Sequence, residues 1–217
     1  MRIGIIGAGF IGRAVGRLAV QHGYQVMLSN SRHPKTLGSA MVSVGCGIGT
    51  AKDAAEFGDL VLLAVPFSAT QDIDPAPLVG KILMDADNYY PLRDGAIPEL
   101  DSGEITTSEI TARHFAGARV VKAWNAILEK DIETTGAPTG QPNRRALPIA
   151  GDDEEAKRVV TELFDKLGFD VVDAGPLSEG WRFERARPAY CVPLDRAGLT
   201  KALSDADRTV AEGSWRR

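Results

Sequence analysis

Apolar positions near the start of the chain change period at Gly7. Arg2 to Ile6 is a short β-branched run, whereas Phe10, Ile11, Ala14, Val15, Leu18 and Ala19 recur at helical spacing until Gly23. The pattern predicts a strand, a tight turn and an amphipathic helix. Tyr24 to Ser29 reads as a second strand, and Ala51 to Phe57 as a short helix closed by Gly58. Asp59 to Val65 is nearly all aliphatic, as expected of a strand buried on both faces, and Pro66 stops it. Further strands are predicted at Lys81 to Ala86, Arg119 to Trp124, Ala146 to Ala150 and Phe169 to Asp173. Before the last of these, Asp152, Asp153, Glu154 and Glu155 open a helix that carries Val159, Val160, Leu163 and Phe164 on one face and closes at Lys166 and Gly168. Acids at a helix N-terminus complement its dipole, so this cluster needs no metal to explain it.

Repeated strand and helix alternation predicts an α/β fold, a Rossmann-like doubly wound, mainly parallel sheet. A barrel of eight full strand-helix units ordinarily takes about 250 residues, more than the 217 present. The alternation fills residues 1–175, read as the Rossmann domain. After Gly175 it breaks down, and residues 176–217, rich in Arg, Pro and small residues, are expected to be a short irregular or helical C-terminal appendage packing on it. One helix is predicted there, from about Pro193 to Arg208, in a lid or contact arm.

At 44% hydrophobic and 25% charged residues the composition is that of an ordinary globular chain. Its longest uncharged apolar stretches, Ile3 to Gly12 and Leu60 to Phe67, fall short of the roughly 18 residues that span a bilayer. The first of them is threaded with glycines and followed by Arg13 and Arg17, unlike a secretory signal, so Met1 reads as the start of the mature fold. Cys46 and Cys191 have no metal-ligand spacing and read as free thiols, which together with the missing export signal predicts a cytoplasmic protein. His22, His33 and His114 share no spacing, and no metal site is expected. Residues 1–52 hold six Arg and Lys and no acid, while the remainder holds 19 basic and 29 acidic residues. A cationic lobe on an acidic protein, without interleaved aromatics, suits a small polyanion better than a nucleic acid.

Gly7-Ala8-Gly9-Phe10-Ile11-Gly12 ends the first strand and opens the first helix, where a dinucleotide fingerprint belongs. Gly7 turns the chain, Gly9 lets backbone approach a pyrophosphate, and Gly12 lets helix and strand pack closely. Gly45-Cys46-Gly47-Ile48-Gly49 looks similar but lacks the last glycine and is expected to be a loop. In NAD-binding units an acid at the end of the second strand holds the ribose hydroxyls. Here the sequence is Ser29-Asn30-Ser31-Arg32, and a hydroxyl beside a guanidinium suits a 2′-phosphate, which points to NADP. Val65-Pro66-Phe67-Ser68, Asn88 to Pro91 and Trp124-Asn125 lie at the C-terminal ends of three predicted strands, where an open parallel sheet binds ligand. Asn88 and Asn125 can donate and accept toward a carboxamide or a ring edge; Tyr89, Tyr90 and Trp124 offer rings for stacking. Lys122, inside a strand pattern, is expected to form a salt bridge.

With that glycine turn, the Asn-Ser-Arg after strand two, Ala64-Val65-Pro66, Asp87-Asn88-Tyr89-Tyr90-Pro91 and Val120-Val121-Lys122-Ala123-Trp124-Asn125, the chain resembles the NADPH-dependent coenzyme F420 reductase family. The last motif also resembles that of the NADPH-binding domain of membrane ferric reductases. The likeness covers about residues 1–175. It implies hydride transfer between NADP(H) and coenzyme F420, a deazaflavin, or another flavin-like acceptor. The cofactor would be held by Gly7, Gly9, Phe10, Ile11, Gly12, Asn30, Ser31, Arg32, Ala64, Val65, Pro66 and Asn88, and the acceptor by Tyr89, Tyr90, Pro91, Trp124 and Asn125. Such chemistry needs positioning rather than a protein nucleophile, and no catalytic residue is assigned. It implies a small-molecule acceptor as partner, with no nucleic acid or membrane, and a homodimer. Two alternatives keep the nucleotide site: a reductase of a small imine or carbonyl compound, with Tyr89 or Tyr90 as proton donor, and a non-catalytic NADP-binding sensor.

Overall fold

A computed structural model describes residues 1–209. Strand β1 (Arg2–Ile6) runs into α1 (Phe10–Gln21), and Gly23, at φ +81°, turns the chain into β2 (Gln25–Ser29). Helix α2 (Gly38–Val44), β3 (Gly47–Gly49) and α3 (Ala51–Phe57) follow, the last opened by a reciprocal cap between Thr50 and Asp53. Then come β4 (Leu60–Leu63), β5 (Ile82–Asp85), the one-turn helices α4 (Pro91–Asp94) and α5 (Pro98–Asp101), α6 (Thr107–His114) and β6 (Arg119–Lys122). After one-turn α7 (Glu129–Ile132) the chain makes β7 (Ala146–Gly151), α8 (Glu154–Lys166), β8 (Asp170–Asp173), a 3-10 segment (Leu177–Phe183) and α9 (Arg196–Ser204).

The strands form one sheet in the order β3-β2-β1-β4-β5-β6-β7-β8, parallel except between β6 and β7. Alternate residues feed two layers, as a pleated strand buried on both faces requires. Ile5, Leu62, Met84 and Val121 pack with α1 and α8, while Ile6, Val61, Leu83 and Val120 pack with Ala54 and Phe115 on the other side. The chain winds outward from β1 to β3, then returns to place β4 on the other side of β1. That reversal makes the C-terminal ends of β1 and β4 the switch point where such sheets bind ligands.

The predicted strands and helices are present, most with ends shifted by a residue or two and the C-terminal helix shortened to Arg196–Ser204, and two differences carry physical content. Gly45–Gly49, expected to be a loop, contains edge strand β3, which pairs with Met27 to Ser29 of β2. Glycine has little strand preference of its own, so only the partner strand defines it. The strand predicted through Trp124 ends at Lys122, because Trp124 adopts φ +66° and turns the chain. Beyond Gly175, Phe183, Leu199 and Leu203 pack with Ala146 and Ala150, so the appendage sits on β7 through a small apolar core of its own. Its predicted helix is α9, capped by Asp195, which accepts from the Gly198 N–H. Among the described residues no helix is long and apolar enough to cross a membrane, and no group of His, Cys, Asp and Glu is placed to hold a metal ion.

Candidate active site

The glycines of the first turn divide their work as the sequence predicts. A Cβ at Gly7, itself at φ +117°, would stand 2.1 Å from the Ala64 carbonyl oxygen, and one at Gly12 would stand 2.0 Å from that of Gly7. Both positions are closed by backbone. A Cβ at Gly9 would meet nothing within 4 Å, so that glycine faces open space at the start of α1. The first turn of α1 has no side-chain cap and no acid. Its free N–H groups and the positive end of its dipole therefore remain available to a phosphate. Arg13 braces the turn, its Nε donating to the Ala8 carbonyl at 2.7 Å.

Two cavities flank this turn and share Val65. The smaller, about 420 Å³, is lined by residues that include Gly7, Asn30, Ser31 and Lys52. Asn30 builds the turn that presents Arg32: its Oδ1 accepts from the Arg32 N–H at 3.0 Å and its Nδ2 donates to Thr36. Ser29, by contrast, donates its hydroxyl to the Ile5 carbonyl inside the sheet and faces no ligand. Arg32 is exposed, and its guanidinium makes no hydrogen bond or ion pair among the described residues. The geometry fits a dinucleotide with a charged group at its ribose end.

The larger cavity, about 490 Å³, brings Gly9, Phe10, Ile11, Ala64, Val65, Pro66, Asn88, Tyr90 and Asn125 together at the C-terminal ends of β1, β4, β5 and β6. Asn88 and Asn125 hold each other. Asn88 Nδ2 donates to the Asn125 carbonyl at 3.0 Å, and Asn125 Nδ2 donates to Asn88 Oδ1 at 3.2 Å and the Phe183 carbonyl at 3.1 Å. Both partners of Asn125 Nδ2 are acceptors, which fixes the amide orientation. Asn125 Oδ1 is then a buried acceptor with no protein donor. A buried acceptor left alone is costly, which sets this atom apart among the polar groups around the cavity.

Three of the residues expected to meet the acceptor do other work. The Trp124 ring is 1% exposed, stacked on Phe164 at 4.2 Å between centroids and edge-on to Phe169, so it packs in the core while the residue also lines the larger cavity. Tyr89 turns away into a separate cavity, its hydroxyl donating toward Gly95 and Asp101 and accepting from the Ile97 N–H. Pro91 opens α4 and does not line the larger cavity. Conversely Arg93, Leu128, Glu129, Tyr190 and Cys191 line it without having been singled out for it. Arg93 stands just past the tyrosine motif; Tyr190 and Cys191 follow the point where the alternating pattern ends.

Beneath the cavity floor lies a buried polar network, with Lys122 in the predicted salt bridge. Its Nζ is 3.2 Å from Glu184 Oε1 and donates to Thr107 Oγ1 at 2.7 Å, Ser108 Oγ at 3.2 Å and the Asp87 carbonyl at 3.3 Å. The Asp87 carboxylate accepts from the Val65 N–H at 3.1 Å and from Thr70 Oγ1 at 2.9 Å, fixing the wall that carries Val65 and Pro66. Burial, and then the neighbouring charge of Asp85, push the Asp87 carboxyl well above the usual carboxylate range. Burial works to raise Glu184 as well, but the Lys122 ammonium and the Thr107 hydrogen bonds outweigh it and hold that carboxyl low. The cysteine on the cavity wall, Cys191, has its thiol pushed up to about 11 by burial.

Comparison with known proteins agrees with this geometry. Residues 2–89 match the model of the family described as NADP oxidoreductase, coenzyme F420-dependent. A structure of the hypothetical protein SMa0349 from Sinorhizobium meliloti superposes with a TM-score of 0.78 at 30% identity, covering 90% of this chain and 95% of that one. A structure from Arthrobacter sp. fb24, provisionally described as an F420-dependent NADP-reductase, gives 0.70 at 25% identity over 83% of this chain and 87% of that one. The rat metalloreductase STEAP3 is 29% identical over 199 residues, which is 88% of this chain and 38% of the rat protein. The chain thus spans well under half the length of that relative.

Proposed function

Since residues 2–89 match the family of coenzyme F420-dependent NADP oxidoreductases, we propose that the chain transfers hydride between NADP(H) and a deazaflavin or flavin-like acceptor bound in the larger cavity. When bound, the dinucleotide supplies a hydride from nicotinamide C4, and the chain supplies place and orientation. Gly9 and the first turn of α1 bind the pyrophosphate, Asn30 and Ser31 border the ribose, and Arg32 pairs with the 2′-phosphate. Ala64, Val65 and Pro66, held by Asp87, form the wall against which the nicotinamide lies. The observation that supports the reading is that two cavities meeting at Val65 flank the glycine turn, and that Asn125, whose Oδ1 is buried without a partner, lines the larger one. That acceptor suits the nicotinamide carboxamide or a ring N–H of the second substrate.

The Tyr90–Tyr190 hydroxyl pair in the same cavity favours one further reading, an imine or carbonyl compound as acceptor, since such a substrate needs a proton along with its hydride. Single-turnover mixing of NADPH-loaded protein with coenzyme F420, and separately with a cyclic imine, distinguishes them. Rapid loss of the nicotinamide absorbance with F420 alone supports the first reading, and with the imine alone the second. NADPH bound but oxidised by neither contradicts both.

A further inference from the structure

Tyr90 and Tyr190 lie 100 positions apart in the chain, yet both line the larger cavity with their hydroxyl oxygens 2.7 Å from each other. A hydrogen bond between two phenols uses one of their two protons, so the accepting hydroxyl keeps an O–H that the pair does not satisfy. The Tyr190 hydroxyl also interacts with the Cys191 thiol, and a thiol is a weak acceptor. The pair therefore holds one phenolic proton without a strong acceptor, at the wall of the larger cavity.

Both rings are held firmly. The Tyr90 N–H donates to Asp94 Oδ2 at 2.9 Å, and the guanidiniums of Arg93 and Arg185 lie over its ring, 4.7 and 4.9 Å from the centroid. Arg93 is itself fixed by Asp94 and by the Asn88 carbonyl. Tyr190 is anchored through its N–H to the Arg187 carbonyl at 3.0 Å, and Cys191 through its own N–H to the Ala126 carbonyl at 3.2 Å. Burial, and then the bond to Tyr90, raise the Tyr190 phenol, so it is protonated at neutral pH.

We propose that Tyr90 and Tyr190 are the proton source for the hydride acceptor: one phenolic O–H of the pair gives its proton to the nitrogen or oxygen of a C=N or C=O acceptor as the hydride arrives at the carbon. The acceptor thereby gains two electrons and two hydrogens, one from the dinucleotide and one from the phenol. The phenolate left behind regains its proton from water through the partner hydroxyl. This rests on the reading of the cavity as the acceptor site. It also gives the appendage a chemical part, since Tyr190 lies beyond Gly175.

Tyr190→Phe and Tyr90→Phe keep both rings and remove one hydroxyl each. Positioned proton donors contribute about 10² to 10⁴ in rate, so Tyr190→Phe is expected to lower kcat for the acceptor that the wild type reduces by at least about a hundredfold. The KM for NADPH should change less than about twofold, because the removed group acts on the acceptor. The solvent deuterium isotope effect on hydride consumption should appear in the wild type and vanish in the variant. As a reading independent of turnover, protein labelled with carbon-13 at tyrosine Cζ and loaded with NADP⁺ should show shifts at Tyr90 and Tyr190 on adding coenzyme F420 or the cyclic imine. Unchanged kcat in both variants, or Cζ signals that ignore both probes while the wild type still turns one over, overturns the proton-source proposal alone. A wild type that binds NADPH and reduces neither probe overturns the hydride-transfer reading and this proposal with it.

Discussion

Glycines at positions 7, 9 and 12 look equivalent as letters, but the space around each differs. The Cβ of Gly12→Ala would collide with backbone at 2.0 Å, and overpacking of this kind costs about 3 kcal/mol. Gly9→Ala meets open space, so its melting temperature should stay within about 2 °C of wild type, while its NADPH affinity falls about tenfold because the methyl enters the approach path of the pyrophosphate. Thermal melts beside fluorescence titrations with NADPH check the pair; equal melting losses in both variants would contradict the assignment. Arg32 offers a second test at this scale. A charged hydrogen bond is worth about 1.5–3 kcal/mol, so Arg32→Ala should weaken NADPH about tenfold or more and leave NADH nearly unchanged. Equal losses for the two dinucleotides would remove Arg32 from the 2′-phosphate site.

At the scale of elements, the segment from Leu177 to Phe183 and its flanking Glu184 are tied to the end of β6 by two polar links, Lys122 to Glu184 and Asn125 to the Phe183 carbonyl. Removing one partner of a fully buried ion pair costs about 3–5 kcal/mol; with the Glu184 side chain 22% exposed, Glu184→Gln should cost less, about 2 kcal/mol. The sign of its pH dependence follows from its lowered pKa. Such a carboxylate adds stability above its ordinary value of 4.5 and loses it as pH falls through the lower folded value. Denaturant midpoints measured at successive pH values should therefore converge for wild type and Glu184→Gln on acidification. A constant gap down to strongly acidic pH would show that the ion pair is not what holds this segment.

Strands with strong aliphatic runs and helices with a clear period were legible in the sequence, because their burial is written in local pattern: β1, α1, β4 and α8 are examples. Edge strand β3 was not, since a Gly-Ile-Gly stretch forms a strand only when β2 is beside it. The same limit governs the site. Gly7, Gly9 and Gly12 announce themselves by spacing, and Asn125 by its motif. The rings of Tyr89 and Trp124, however, are directed by packing that spacing does not encode: Trp124 turns inward to Phe164, and Tyr89 bonds to Gly95 and Asp101. Tyr190 carries no sequence signal at all; only the folded appendage brings it within 2.7 Å of Tyr90.

Over the whole molecule, the reversal of strand order between β1 and β4 opens a crevice that the glycine turn supplies with phosphate donors and the appendage closes with Tyr190 and Cys191. Of the six basic residues in the acid-free stretch 1–52, Arg2, Arg17 and Lys52 pair with Asp59, Glu133 and Glu56, whereas Arg32 is exposed, makes no ion pair among the described residues and stays available to a polyanion. On the function proposed above, dinucleotide and acceptor meet in this crevice and hydride passes directly between them. Isotope transfer tests that claim most directly. Protein mixed with NADPH carrying deuterium at the transferable C4 position and with coenzyme F420 in ordinary water should yield reduced acceptor that retains the deuterium, read by mass spectrometry. Reduced acceptor without the label, or NADPH that binds and keeps its deuterium indefinitely, would contradict direct hydride transfer in this cleft.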